Sequence, residues 1–173
     1  MRSLLTIALL FLLAPWLRVM ATGEQLLTDS WPDGTPRTVQ AYRLDLSGQK
    51  IFHGHHAMFY ESGALLVQGE FRHGLREDLW TWRHENGDKQ AECRYEGDEG
   101  EFRSWHANGQ PFLVGRYHGN KRVGKWREFH PSGRKRLEGE YRDDKQHGTW
   151  LAWTDEDQPQ ESRSRWRDGE RIE

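Results

Sequence analysis

A single cysteine, Cys93, stands among the 173 residues, so no disulfide framework can hold this chain together. Apolar residues are scarce as well. Mean hydropathy is −0.99, and 35% hydrophobic against 30% charged residues leaves too little for a deep core. There is no excess of positive charge: the formal charge is −2, which argues against nucleic acid and anionic lipid as partners, since both reward clustered Lys and Arg. No apolar run is long enough to span a bilayer; the one from Ser3 to Leu17 is about 15 residues, short of the ~20 a spanning helix needs. The signatures of common hydrolytic chemistry are missing too. No Gly-x-Ser-x-Gly elbow, His-Glu-x-x-His helix or Gly-rich strand-to-helix junction occurs.

What the chain does contain at its start is Arg2, the apolar run Leu4 to Leu13, then Ala14, Pro15 and Val19-Met20-Ala21. Residues 1–21 are expected to be a signal peptide cleaved after Ala21, the rival reading being a retained anchor. Cleavage would remove Arg2 and Arg18 and no acid, moving the formal charge from −2 to −4. The expectation is therefore an exported chain, periplasmic or secreted, with no stable membrane insertion after cleavage. Residues 22–30 are expected to be a flexible segment.

From there the chain repeats itself. Gly63, Gly87, Gly109 and Gly133, spaced 24, 22 and 24 residues apart, each follow Ser or Asn. Seven residues before them stand His56, Trp80, Phe102 and Trp126; six after stand Gly69, Cys93, Gly115 and Gly139; eight after stand Phe71, Tyr95, Tyr117 and Tyr141. Small and large residues thus alternate with period two around Asn-Gly and Ser-Gly, which is the pattern of β-hairpins with two-residue turns. Nine residues before the turn glycine come Gly54, Asp78, Gly100 and Gly124, with Gly148 in a last unit centred on Asp157. The array is expected over 31–171: a half unit at 31–52, full units near 53–76, 77–97, 98–122 and 123–146, and a degenerate unit at 147–171. In that last unit Arg163 and Arg165 stand where a glycine and an aromatic would fall.

The turn geometry predicts cross-strand partners. Trp126 should face Gly139, Trp80 Cys93, Phe102 Gly115 and His56 Gly69, each ring sheltering a small residue opposite it. Nine Trp, seven Phe and five Tyr suit such a thin sheet, because one ring losing ~100 Å² contributes roughly 2.5 kcal/mol. On the other face, four residues before the turn glycine, come Phe59, Arg83, Trp105, Phe129 and Trp153. Phe59, Trp82, Trp105, Phe129 and Trp153 are the candidate partner-binding aromatics.

Chemical roles find little support. His84, His106 and His130 recur two strands apart, ~10 Å, too far to share a zinc whose ligand atoms lie ~2.0–2.1 Å from it. His53, His55 and His56 lack an acid or Cys to complete a cage, and Cys93 sits in the small-residue column. Acids such as Glu61, Asp98 and Glu101 fit a solvated surface. No catalytic, metal or cofactor residue is expected, so the chain is read as a non-enzyme.

With these residues in view, Gly-x-Trp-x-x-aromatic-His-x-Asn/Ser-Gly followed by Gly-x-Tyr/Phe resembles the MORN repeat, above all the variant found in the bacterial YwqK family of antitoxin-like proteins. Gly124-Lys125-Trp126-Arg127-Glu128-Phe129-His130-Pro131-Ser132-Gly133 is the cleanest match. The resemblance spans roughly 31–171. It implies an all-β fold, an elongated, twisted, single-layer antiparallel sheet of successive hairpins, and a protein-binding role. An antitoxin or immunity function, with an exported toxin as partner, follows from the resemblance together with the export signal. An envelope glycan-binding or structural scaffold module is the alternative.

Overall fold

The computed structural model describes residues 23–173; the expected signal peptide lies outside them. The described chain has strands and turns and no helix. Thirteen strands follow one another: β1 Gln25–Ser30, β2 Pro36–Leu44, β3 Lys50–Phe59, β4 Leu65–Arg72, β5 Leu75–Arg83, β6 Lys89–Glu96, β7 Glu99–Trp105, β8 Pro111–His118, β9 Lys121–Phe129, β10 Lys135–Arg142, β11 Lys145–Trp153, β12 Glu161–Arg167 and β13 Glu170–Arg171. They form one open antiparallel sheet in sequence order. The chain divides into two compact units, one holding residues up to Glu77 with Glu85–Gly87, the other Asp78–His84 and Asp88–Glu173.

The expected strand registers hold. Trp126 pairs with Gly139, Trp80 with Cys93, Phe102 with Gly115 and His56 with Gly69. The turns, however, are not two-residue ones. Tyr60 N–H donates to Ala64 O and Gly63 N–H to Tyr60 O, both at 2.9 Å, which closes a three-residue loop with Gly63 left-handed at φ 82°. That is a type I turn ending in a glycine bulge. The extra residue is absorbed one step later, by the shift between Met58 and Phe59, so pairing in the body of the hairpin is unchanged.

A second kind of bulge decides which ring covers which glycine. Between Val114↔Arg127 and Arg116↔Val123, four-residue spacing on β9 answers two on β8, and Gly124 in the surplus has φ 63°. The same happens around Gly148, φ 71°, and around Gly54, φ 86°. In consequence Trp126 lies on Gly115, and Trp150 on Gly139: a Cβ at either glycine would sit 2.1 Å from the ring. The expectation that Trp126 shelters its direct partner Gly139 is therefore corrected. The ring leans across the bulged side onto the preceding hairpin, and Gly139 is roofed from the following one. β6 and β7 pair without any shift; there the small residue is Cys93 and the ring opposite is the smaller Phe102.

Each unit has its own version of this column. In the first unit the pair is Gln40 and His56, Oε1 and Nδ1 2.6 Å apart, beside buried Ala41, Tyr42 and Ala57. In the second, Trp80, Trp126 and Trp150 are 1–3% exposed, and their neighbours continue the stack. Trp126 lies 5.9 Å from Phe102 and edge-on to Tyr117 and Tyr141, while Tyr141 meets Trp150 at 5.0 Å. The indole N–H groups of Trp126 and Trp150 are buried without an acceptor, a cost that lying flat on glycine imposes.

Both ends of the array differ from expectation. Residues 22–30 are not simply a loose lead-in, because Gln25–Ser30 forms a strand paired to β2 from Gln25↔Tyr42 to Ser30↔Pro36, and the Tyr42 hydroxyl donates to Gln25 Oε1 at 2.7 Å. The hairpin around Pro32-Asp33-Gly34 is thus a whole unit, not half of one. At the other end the loop between Thr154 and Gln160, closed by a 3.2 Å bond, is longer than its counterparts, which displaces the pattern by one residue. Ser164 faces Trp150 and Trp166 faces Gly148. The small residue and the aromatic sought at Arg163 and Arg165 are present, one place later.

Candidate functional site

Period-two alternation puts the residues four and six before each turn glycine on the face opposite the Trp column. Of the five candidate aromatics, three gather there in successive hairpins: Trp105, Phe129 and Trp153, all half-buried. Phe59 is 9% exposed, too covered to offer a ring. Trp82 belongs to the other face, beside Trp80 at 6.2 Å and paired with Ala91; Arg83 holds its place in the row.

What fixes this row is the histidine column. His106 Nε2 lies 2.8 Å from Phe129 O, and His130 Nε2 2.9 Å from Trp153 O. A carbonyl only accepts, so Nε2 carries the proton in both. Trp31 takes the same position in the first unit, its indole donating to Phe59 O at 3.3 Å. His106 and His130 therefore bind one hairpin to the next. Among the described residues no group of three or more His, Cys, Asp or Glu could hold a metal.

Over the outer rings sit amines. Lys89 Nζ lies 5.2 Å from the Trp105 centroid and 2.9 Å from Glu92. Lys135 Nζ lies 5.0 Å from the Trp153 centroid and 3.1 Å from Glu138. The same Lys, Glu and Trp are thus assembled twice, about 19 Å apart at four strand spacings. Between them the repeat has Pro111 and Val114 in place of the ion pair, leaving Phe129 without a cap of this kind. Sequence reading found the rings and missed the amines, although Lys-x-x-Glu at 89–92 and 135–138 was the signal. Burial of Glu138 opposes ionisation, but hydrogen bonds from Lys135 and Arg127 outweigh it and hold the carboxyl below its usual range. Arg127 Nε lies 2.9 Å from it.

The strongest electrostatic feature lies in the first unit. Burial, reinforced by the charges of His55 and Arg76, pushes His56 down to about 4. His55 is lowered by burial against the pull of Glu70, and His53 by burial and Arg43. A histidine kept neutral in the fold and near 6.5 when unfolded binds more protons unfolded between those values. Its stabilisation is present above about pH 6.5 and is lost as pH falls toward 4. The midpoint of thermal unfolding, Tm, is expected to drop between pH 7.5 and 5, with a smaller drop in His56→Gln, whose amide can still meet Gln40. Equal drops in both proteins would remove His56 as the cause.

Residues 122–143, the β9–β10 hairpin with Trp126, Gly133, Gly139 and Tyr141, match the family described as the MORN repeat variant. No curated protein matches the chain. The matched hairpin has a turn glycine, a Trp on the preceding glycine and a histidine bonded forward; the hairpin before it keeps the turn glycine and the forward histidine, the one after it the Trp on the preceding glycine, and the chain is an all-β repeat protein carrying a MORN repeat of the variant type.

Proposed function

We propose that this protein is a non-catalytic binding module that engages a protein partner through the face bearing Trp105, Phe129 and Trp153. The observation that carries the proposal is the doubled Lys–Glu–Trp assembly flanking Phe129. An apolar centre between polar, half-exposed rims is how protein interfaces are built. A sugar stacks on a bare ring face, whereas Lys89 and Lys135 already occupy a face of the two indoles. This weighs for a protein over a glycan. MORN repeats elsewhere serve mainly as non-enzymatic interaction modules, in line with the matched hairpin. An exported location rests on residues 1–21, and an antitoxin or immunity role, with an exported toxic protein as partner, on the resemblance to antitoxin-like proteins.

The test is capture from an envelope fraction, with Trp105→Ala as the probe. The variant is expected to weaken capture by about tenfold or more, as loss of an interface anchor does, while still folding with a lowered Tm, because the half-buried ring also covers the sheet. Undiminished capture by the folded variant would remove this face. Recovery of one exported toxic protein supports immunity; retention on cell-wall polysaccharide alone, lost in Trp105→Ala, overturns the protein reading in favour of glycan.

A further inference from the structure

The two ends of the strand order are built differently. β12 carries Arg163, Arg165 and Arg167 in alternation and is partly covered by the two-residue β13. Charge and a short terminal strand are the usual protections of a sheet edge. β1, Gln-Leu-Leu-Thr-Asp-Ser, has no covering strand and a single charge. Every residue of it is exposed, with Leu26 at 41% and Leu27 at 45%, and among the described residues only β2 pairs with it. Its one acid, Asp29, is turned to Arg37 on β2.

Leu27 has a particular place in the repeat. It stands seven residues before Gly34 and pairs with Gln40, the position that Trp126 and Trp150 hold in later hairpins. Those rings are buried because a preceding strand offers them a glycine. At β1 that strand is missing from the described residues, and the side chain of the column is left in solvent.

We propose that β1 is a docking edge for a second copy of this chain, joined antiparallel about a two-fold axis with Leu27 facing Leu27 of the partner subunit. In that register Gln25 lies opposite Asp29 of the partner subunit, Leu26 opposite Thr28 of the partner subunit, and Glu24 opposite Ser30 of the partner subunit. No acid meets an acid. Moving the axis by half a residue, to pair Leu26 with Leu27, would set Glu24 against Asp29. β12 paired with itself about Ser164 would set Arg163 against Arg165. The β1 contact is isologous, so it closes at two copies instead of growing. Seven paired residues a side, Glu24 to Ser30, bury less than a standard stable interface, so the dimer forms with rising concentration.

The two-fold makes residue 27 its own partner, and this supplies the test. Sedimentation velocity is run on the chain as cells deliver it, its amino end read by mass spectrometry. The weight-average mass should rise toward that of two chains as concentration increases. Leu27→Glu and Leu27→Lys should each weaken association by about tenfold or more, since like charges then face one another across the axis. An equimolar mixture of the two should restore it. Amide protection along β1 and β2 in each variant close to that of the parent shows that β1 is still folded. A monomer at all concentrations, dimers unaffected by either charge, or a mixture that stays monomeric would each overturn the proposal. Capture of the protein partner is a separate readout and stands or falls independently.

Discussion

Alanine at Gly139 is expected to lower Tm by roughly 3–10 °C, the range for an overpacked core position in a chain of this size. The added Cβ would fall 2.1 Å from Trp150 Cδ2. Trp150 cannot easily retreat, being 3% exposed and held edge-on by Tyr141. Exposed Glu140→Ala, one residue away, is the control and should change little. The decisive step is rescue. Gly139 pairs directly with Trp126, yet the ring above it comes from Trp150, so Trp150→Phe should restore part of the lost stability and Trp126→Phe none. The chain already holds such a combination, Cys93 opposite Phe102 in an unbulged pair. Gly139 and Trp150 changed together should therefore show a favourable coupling of about 0.5–3 kcal/mol. Rescue by Trp126→Phe instead would mean that the rings cover their direct partners.

That difference marks how far the sequence could be read. Strand order and register were legible because Ser-Gly and Asn-Gly recur at one spacing, and a one-residue slip would turn every ring to the other face. The three-residue loops were not, since the shift at Met58/Phe59 hides the additional residue. Nor was the direction of the rings. It depends on bulges at Gly54, Gly124 and Gly148, glycines recognised by their spacing whose place in the fold requires positive φ. Asp78 in the same column was the clue, because aspartate tolerates the left-handed conformation and has φ 55° there. Trp166 escaped notice because a longer loop displaced it. In the candidate site Trp105, Phe129 and Trp153 followed from spacing alone, whereas Trp82 was assigned to the wrong face by one residue, and Lys89 and Lys135 could be placed over rings only once neighbouring hairpins were set side by side.

Trp126→Ala should be the more damaging change, costing about 3–5 kcal/mol as removal of a buried aromatic does, a large share of the stability of an ordinary domain. Trp126 is 2% exposed, rests on Gly115, stacks near Phe102 and is met edge-on by Tyr117 and Tyr141. Its loss leaves those rings over a void, and among the described residues there is no second layer to collapse into it. How the damage spreads is the informative part. Each strand pairs only with its sequence neighbours, so the energetics should follow nearest-neighbour rules, as in other repeat arrays. Amide exchange should accelerate first in β7 to β10, where the lost contacts were, while β2 and β3, held by Gln40, His56 and buried Ala41 and Ala57, keep their protection. Uniform loss of protection across β2 to β12 would show instead that the hairpins unfold as one cooperative body, and a ring in one of them would then be answerable for the stability of all.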